Sequence, residues 1–87
     1  MQVIVVGTGT LGLNVARRLS EERNDVVMVG EDEAALRQAQ DALDVGIVVG
    51  KGSAPSVLLE AGLAAADIIV VTMLFMEEHF LPVLPAL

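Results

Sequence analysis

The sequence predicts an α/β fold in which about four parallel strands alternate with helices. The first observation is the run Val3-Ile4-Val5-Val6, four β-branched residues that are typical of a strand buried on both faces. The second is a set of three glycines spaced G-x-G-x-x-G that follows this run at once. The third is the return of short Val/Ile runs, each after a segment with helical spacing. Together they predict a three-layer, Rossmann-like fold.

The first half of the chain reads as a βαβ unit. Apolar and small residues recur at helical spacing between residues 10 and 22, which predicts the first helix there. A second apolar run at residues 26–29 predicts a buried strand, so that the unit from the first strand through the second spans about thirty residues. Such a unit makes the two strands parallel neighbours with a right-handed crossover.

The second half repeats the alternation. Leu36, Ala39 and Leu43 mark the inward face of a second helix, and residues 47–49 predict a third strand. Ser53 is expected to cap a third helix that has Pro55 in its first turn. Gly62 follows that helix as a left-handed residue, and residues 68–71 form the fourth strand.

These elements predict a parallel sheet in the order 3-2-1-4, truncated relative to a full doubly wound domain. In such sheets ligands bind at the carboxyl ends of the strands, where the order reverses. Four segments are expected to meet at that edge: residues 7–12, 30–32, 50–53 and 72–73. Residues 1–73 are predicted to form the nucleotide-binding domain, and the apolar residues 74–87 a short helix or a dimerisation segment.

The glycine turn is the strongest functional signal. Gly7 permits a tight exit from the strand, Gly9 leaves room for a pyrophosphate, and Gly12 lets the next helix approach the strand. The amides and the dipole of that helix would then attract the phosphate. A purely structural glycine turn is the alternative.

Composition narrows the function further. The 87 residues carry 12 acidic and 5 basic side chains, and this net charge of −7 disfavours nucleic acid as a partner. The absence of cysteine excludes disulfides and thiolate metal sites, while a single histidine, His79, does not make a metal site. No apolar run reaches the ~20 residues that span a bilayer, so a cytoplasmic protein is expected.

Several motifs resemble one family. They are the glycine turn, Asn24-Asp25 before the second strand, the passage at residues 48–62 that closes in Glu-Ala-Gly, and Ala66-Asp67 with Thr72 after a valine-rich strand. In these features, which cover residues 1 to 73, the chain is similar to the N-terminal domain of the TrkA family of potassium uptake proteins. That domain is the nucleotide-binding half of a regulator-of-potassium-conductance (RCK/KTN) domain.

The resemblance implies a non-catalytic, cytoplasmic regulatory domain that binds NAD(H), with ATP, ADP or AMP as other ligands. It also implies homo-oligomers that act on a membrane potassium transporter, peripherally at the inner face of the membrane. By position, the glycine turn would hold the pyrophosphate, with the ribose, adenine and nicotinamide groups along the neighbouring segments. The candidate residues are Gly7, Thr8, Gly9, Thr10, Leu11 and Gly12 in the turn, Gly30 and Glu31 at the ribose, Lys51 and Gly52 near adenine, and Thr72 and Met73 over the nicotinamide side or terminal phosphates.

The chain departs from the family pattern at three places. Gly30 stands where the family usually has Asp or Glu, and the loss of a charged hydrogen bond to ribose, on the order of 1.5–3 kcal/mol, favours weaker binding or AMP-like ligands. The acidic residues 31–33 would repel a 2′-phosphate. The spacing from Asp67 to Thr72 is one residue short, and the residues after Thr72 are apolar instead of small and polar.

Two other functions remain open from the sequence. One is an N-terminal fragment of an NAD-dependent dehydrogenase, which would need a proton donor or acceptor near the nicotinamide. The other is a divergent module that kept the fold and lost the ligand. A bare fourth strand would promote aggregation, so a homodimer that covers it, through the tail or the strand itself, is expected.

Overall fold

The computed structural model describes residues 1–72 as a parallel sheet with helices on both faces. The strands lie in the order β3-β2-β1-β4, which confirms the predicted topology. The elements in chain order are β1 (Gln2–Val6), α1 (Thr10–Glu21), β2 (Asp25–Gly30), α2 (Glu33–Ala42), β3 (Val45–Val49), α3 (Pro55–Glu60), a 3-10 turn at Leu63–Ala65, and β4 (Ile68–Val71). Met73 and the predicted tail at residues 74–87 lie outside the described residues.

The alternation along β1 divides the core into two halves. Val3 and Val5 pack with Ala16 of α1 and Leu36 of α2 on one face of the sheet. On the other face, a second cluster joins the sheet to α3 and the 3-10 turn: Ile4, Val6, Val29, Val48 and Ala61. Because both faces of β1 are covered, its four apolar residues are at most 3% exposed, and the three-layer prediction is confirmed.

The N-termini of α1 and α2 differ in how they are capped. Asp32 caps α2, because its Oδ1 accepts the Ala35 N–H over 3.1 Å, and Glu33 adds negative charge to the first turn. At α1 the cap is Gly9, and no side chain of the described chain caps that helix.

The start of α3 corrects one prediction. Ser53 does not cap this helix; Ala54 occupies the cap position, and no side chain bonds there. Pro55 does stand at the first helical position, where a missing N–H costs nothing. Gly62 follows the helix with φ +100°, which is the left-handed conformation that the sequence predicted.

Strand β4 is the least covered strand of the sheet. It pairs with β1 in parallel over Ile68 to Val71. Ile68, Ile69 and Val71 are 42%, 41% and 60% exposed, although a run of β-branched residues is typical of a buried strand. An apolar edge strand of this kind invites pairing with another chain segment.

Core packing predicts the cost of truncating α2. Leu36 is fully buried, so Leu36→Ala should lower the free energy of unfolding by about 2–5 kcal/mol, as expected for a buried leucine. Leu59 on α3 is 60% exposed and serves as the matched control, since Leu59→Ala should change stability by less than about 0.5 kcal/mol. Urea unfolding followed by circular dichroism measures both, and equal losses would contradict this packing.

Candidate nucleotide site

A cavity of about 320 Å³ opens at the carboxyl edge of the sheet, between β1, β2 and the loop after β3. Its volume is at the lower end of the range for small-molecule sites. All four segments that the sequence brought to this edge contribute to it. The lining residues are Val6, Gly7, Thr8, Gly9, Val29, Gly30, Glu31, Asp32, Gly50, Gly52 and Thr72.

Hydrogen bonds continue past the strand ends and fix the floor of the cavity. The Gly7 N–H donates to the Val29 carbonyl oxygen over 2.9 Å, and the Gly50 N–H donates to the Gly30 carbonyl over 2.8 Å. The Thr72 N–H donates to the Val6 carbonyl over 2.9 Å. The loops that line the cavity are therefore held in register with the sheet.

Two of the three turn glycines are required by the fold itself. Gly7 has φ +133°, and a Cβ there would lie 2.5 Å from the Thr72 Oγ1. A Cβ on Gly12 would lie 2.7 Å from the Gly7 carbonyl oxygen, so a side chain at this position would push α1 away from β1. Both glycines have the structural role that the motif predicted.

Gly9 differs from these two. Its φ of −74° and ψ of −177° suit any residue, and a Cβ there would meet no atom of residues 1–72 within 4 Å. The fold thus leaves the space above Gly9 open, at the point where α1 begins. The first turn of a helix carries N–H groups without intrahelical partners, so this opening is a place for an anion.

Charge is distributed unevenly around the cavity. Neither an acidic side chain in the first turn nor a side-chain cap competes for the N-terminus of α1 in the described chain. The ionisable residues that line the cavity are Glu31 and Asp32, both at the end of β2. An anion is therefore favoured at α1, whereas the β2 side favours neutral or hydroxyl-bearing groups.

Gly30 lies under the side chain of Thr8. A Cβ on Gly30 would be 2.5 Å from the Thr8 Cγ2, so the methyl group of Thr8 occupies the direction in which a side chain at position 30 would extend. Glu31 comes next along the chain, lines the cavity and is exposed. The structure thus places a carboxylate at this edge one residue later than the usual ribose-binding position.

The loop after β3 approaches β1 through glycine. A Cβ on Gly52 would collide with the Val6 side chain, and one on Gly50 would lie 2.7 Å from the Val57 Cγ2. Lys51, between them, is exposed and does not line the cavity. The loop therefore contributes backbone surface to the cavity, rather than a lysine side chain.

Thr72 lies in phase with the site despite its short spacing from Asp67. Its side chain lines the cavity, and its Oγ1 donates to the Val6 carbonyl over 3.4 Å. The same oxygen sits in the hollow between the backbones of Gly7 and Gly12. Thr72 therefore packs against the turn at Gly7 and Gly12, and the separate space above Gly9 stays open.

The structure brings together seven of the twelve predicted site residues. These are Gly7, Thr8, Gly9, Gly30, Glu31, Gly52 and Thr72. Thr10, Leu11 and Gly12 form the first turn of α1 beside the cavity, and Leu11 is 58% exposed. Lys51 is exposed and is not among the residues that line the cavity, and Met73 is outside the described residues.

Four lining residues were missing from the predicted set. Asp32 and Gly50 belong to segments already expected at this edge, so the topology rule alone could have added them. Val6 and Val29 end the two central strands, and their position in the buried runs carried a structural signal only.

Neither a metal-binding cluster nor a membrane-spanning helix is found in the described residues. Residues 1–72 hold no group of three His, Cys, Asp or Glu side chains that could bind a metal ion. In the same residues, every helix is too short or too polar to cross a bilayer.

Comparisons with known proteins agree with the fold. The family model of the TrkA-N domain matches residues 3–84. The chain is 42% identical over 79 residues to the Trk system potassium uptake protein TrkA of Azorhizobium caulinodans, covering 91% of this chain and 17% of that protein. It is 39% identical over 70 residues to the protein of the same name from Halomonas elongata, covering 80% of this chain and 15% of the relative.

A third relative extends the pattern. The Trk system potassium uptake protein TrkA of Haemophilus influenzae is 37% identical over 70 residues, again 80% of this chain and 15% of the relative. The chain thus spans about one sixth of the length of the relatives it matches. Because the family match extends over nearly the whole sequence, the chain belongs to the TrkA-N domain family.

Proposed function

We propose that this chain is a nucleotide-binding regulatory domain of a potassium uptake system, with an NAD(H)-type dinucleotide as its ligand. The diphosphate would lie above Gly9, at the N-terminus of α1. The adenosine would lie toward Gly30, Glu31 and Gly52, and the nicotinamide toward Thr72. Nucleotide occupancy is the signal in this proposal, and the nucleotide undergoes no reaction.

The observation that carries the proposal is the open space above Gly9. Gly7 and Gly12 are glycine because a Cβ would lie 2.5 Å from the Thr72 Oγ1 at Gly7 and 2.7 Å from the Gly7 carbonyl oxygen at Gly12. At Gly9 the fold imposes no such limit, since a Cβ would meet nothing within 4 Å in the described part of the chain. A ligand that approaches the backbone closely supplies the reason for a glycine at this position.

The α1 terminus gives the phosphate its favourable interaction. It carries no side-chain cap and no acidic first-turn residue within the described chain, in contrast to α2 with Asp32 and Glu33. A diphosphate there would accept N–H bonds from the first turn and lie in the positive end of the dipole. Two acidic residues at the β2 edge, Glu31 and Asp32, favour ribose hydroxyls over a 2′-phosphate.

The assignment to potassium uptake rests on the relatives. All three relatives are named Trk system potassium uptake proteins, and this chain matches one sixth of their length. A domain with a cavity at the carboxyl edge of a parallel sheet fits a ligand-sensing, regulatory part of such a system. We therefore place it in the cytoplasm as a partner of a membrane potassium transporter.

Self-association is part of the same proposal. The exposed Ile68, Ile69 and Val71 form an apolar edge beside the site, and pairing between two copies would cover it. Such an assembly would bring two nucleotide cavities into one particle, through which occupancy could be passed to a transporter.

Ligand titration is the direct test. NADH and NAD⁺ should raise the melting temperature, because a ligand at 100 times its Kd adds about 2.7 kcal/mol to stability. For a domain of this size each kcal/mol corresponds to roughly 4–8 °C. NADPH should give a smaller shift at equal concentration, since Glu31 and Asp32 line the ribose side.

The remaining nucleotides sharpen this measurement. ATP, ADP and AMP should stabilise the chain less than NADH if both halves of the dinucleotide are held. Equal increases in melting temperature with AMP and NADH would contradict a dinucleotide ligand and indicate an adenosine-type ligand. If every nucleotide leaves the melting temperature unchanged, nucleotide binding is refuted.

A substitution at Gly9 separates ligand binding from folding. Gly9→Ala should keep or slightly raise stability, by roughly 0.4–1 kcal/mol, because its conformation suits alanine and the Cβ enters open space. Its methyl group would displace the diphosphate from the helix amides, and the loss of one charged hydrogen bond weakens NADH binding roughly tenfold or more. Calorimetric titration measures the affinity.

Gly46→Ala is the matched control for this experiment. Gly46 lies in β3, away from the cavity, and a Cβ there would make an ordinary 3.5 Å contact with Val27. This variant should bind NADH like the unsubstituted chain. An unchanged affinity in Gly9→Ala as well would contradict a diphosphate above Gly9.

The exposed edge predicts the oligomeric state. Light scattering after size exclusion should give a mass above the 9.1 kDa of one chain. Ile69→Lys should shift the particle toward the monomer, since a charged residue on the exposed strand opposes pairing. Leu59→Lys, at a position on α3 that is 60% exposed, should leave the mass unchanged. A monomeric unsubstituted chain would refute the assembly.

A further inference from the structure

We propose that Thr8 is a specificity-determining residue of the nucleotide cavity, because its γ-methyl group keeps position 30 free of a side chain and transfers ribose recognition to Glu31. The inference rests on the proposed function and deepens it. The ligand class is an adenine nucleotide with free ribose hydroxyls. Gly30, the last residue of β2, supplies no carboxylate to that ribose.

The steric basis is a single contact. An ideal Cβ on Gly30 lies 2.5 Å from the Thr8 Cγ2, whereas the Thr8 Cβ and Oγ1 are 3.7 and 3.8 Å away. The methyl group alone therefore closes the space. Both residues line the 320 Å³ cavity, so the contact forms part of its wall.

Moving the methyl group away requires a change of the Thr8 χ1 rotamer. Threonine is β-branched, and two of its three staggered χ1 rotamers place either Cγ2 or Oγ1 toward Gly30. Only the third turns the hydrogen that way. Thr8 also borders a second cavity of about 270 Å³ between α1 and α2, which leaves its side chain room to adjust. A side chain at position 30 should therefore lower stability without unfolding the domain.

The two carboxylates at this edge, Glu31 and Asp32, differ in their hydrogen bonding within the described residues. Asp32 is bound to the Ala35 N–H as the cap of α2, which commits its Oδ1. Glu31 lines the cavity, and no hydrogen bond or ion pair engages its side chain within the described residues. It is therefore the carboxylate available to accept hydrogen bonds from ribose hydroxyls.

A consequence follows for substitutions at position 30. An aspartate there would add a second acceptor for the ribose, but the Thr8 methyl group would force it out of the cavity. Removing that methyl should restore its access. The two positions are therefore coupled, in stability as well as in ligand affinity.

The first arm of the test needs no ligand. Gly30→Ala is made in three backgrounds: the unsubstituted chain, Thr8→Ser and Thr8→Val. Serine lacks the Cγ2 methyl group. Valine keeps it and replaces the hydroxyl by a second methyl group. The melting temperature should fall in the Thr8 and Thr8→Val backgrounds and fall by clearly less in Thr8→Ser. Equal shifts in all three backgrounds would overturn the steric coupling.

The second arm measures NADH affinity by calorimetry for Gly30→Asp in the same three backgrounds. Binding should tighten roughly tenfold or more only with Thr8→Ser, as expected for one new charged hydrogen bond. The other two backgrounds should change by less than roughly threefold. Equal tightening in all three backgrounds would overturn the specificity role of Thr8.

The two arms distinguish this inference from the proposed function. If the unsubstituted chain binds no nucleotide while the Thr8→Ser/Gly30→Asp variant does, the function proposed for the natural chain fails and the role of Thr8 stands. If no variant binds NADH, the specificity role is overturned too. Glu31→Gln in the unsubstituted chain should weaken NADH binding roughly tenfold, and an unchanged affinity would overturn the transfer to Glu31.

Discussion

The site depends on how closely the first turn of α1 approaches the end of β1. Gly12 has no side chain, so the helix packs directly against the Gly7 carbonyl, and the Thr72 hydroxyl fills the remaining hollow. This three-way contact joins the ends of β1 and β4 to the start of the helix. The opening above Gly9 lies where α1 begins. The shape of the cavity therefore depends mainly on backbone packing and not on charged side chains.

Much of this architecture could be predicted because it depends on patterns that the chain shows locally. The β-branched runs and the helical spacing between them gave the strand order, and the glycine spacing gave the turn. Asp32 beside Glu33 likewise predicts a favourable helix start, and Asp32 caps α2. Ser53 failed as a cap because α3 begins two residues later, at Pro55, where Ala54 supplies the extended backbone.

The details of the site could not be predicted from the sequence, because they depend on contacts between distant residues. The Thr8 methyl group meets Gly30 across the gap between two loops, and no spacing rule reports that contact. The apparent one-residue deficit before Thr72 also proved harmless, since the pairing of β4 with β1 places Thr72 beside Val6. Exposure of Lys51 depends on Gly50 and Gly52, which bring the loop backbone against Val57 and Val6 and leave the side chain between them outside the cavity.

The position of Thr72 has a kinetic consequence. The βαβ unit through β2 is built from contacts between neighbouring elements, but Thr72 joins Gly7 and Gly12 only after a chain closure of about sixty residues. Non-local pairings of this kind form slowly compared with helices. Competence to hold a ligand should therefore appear late in folding, which makes a fluorescent nucleotide a reporter of the finished domain, whereas helical circular dichroism reports the helices.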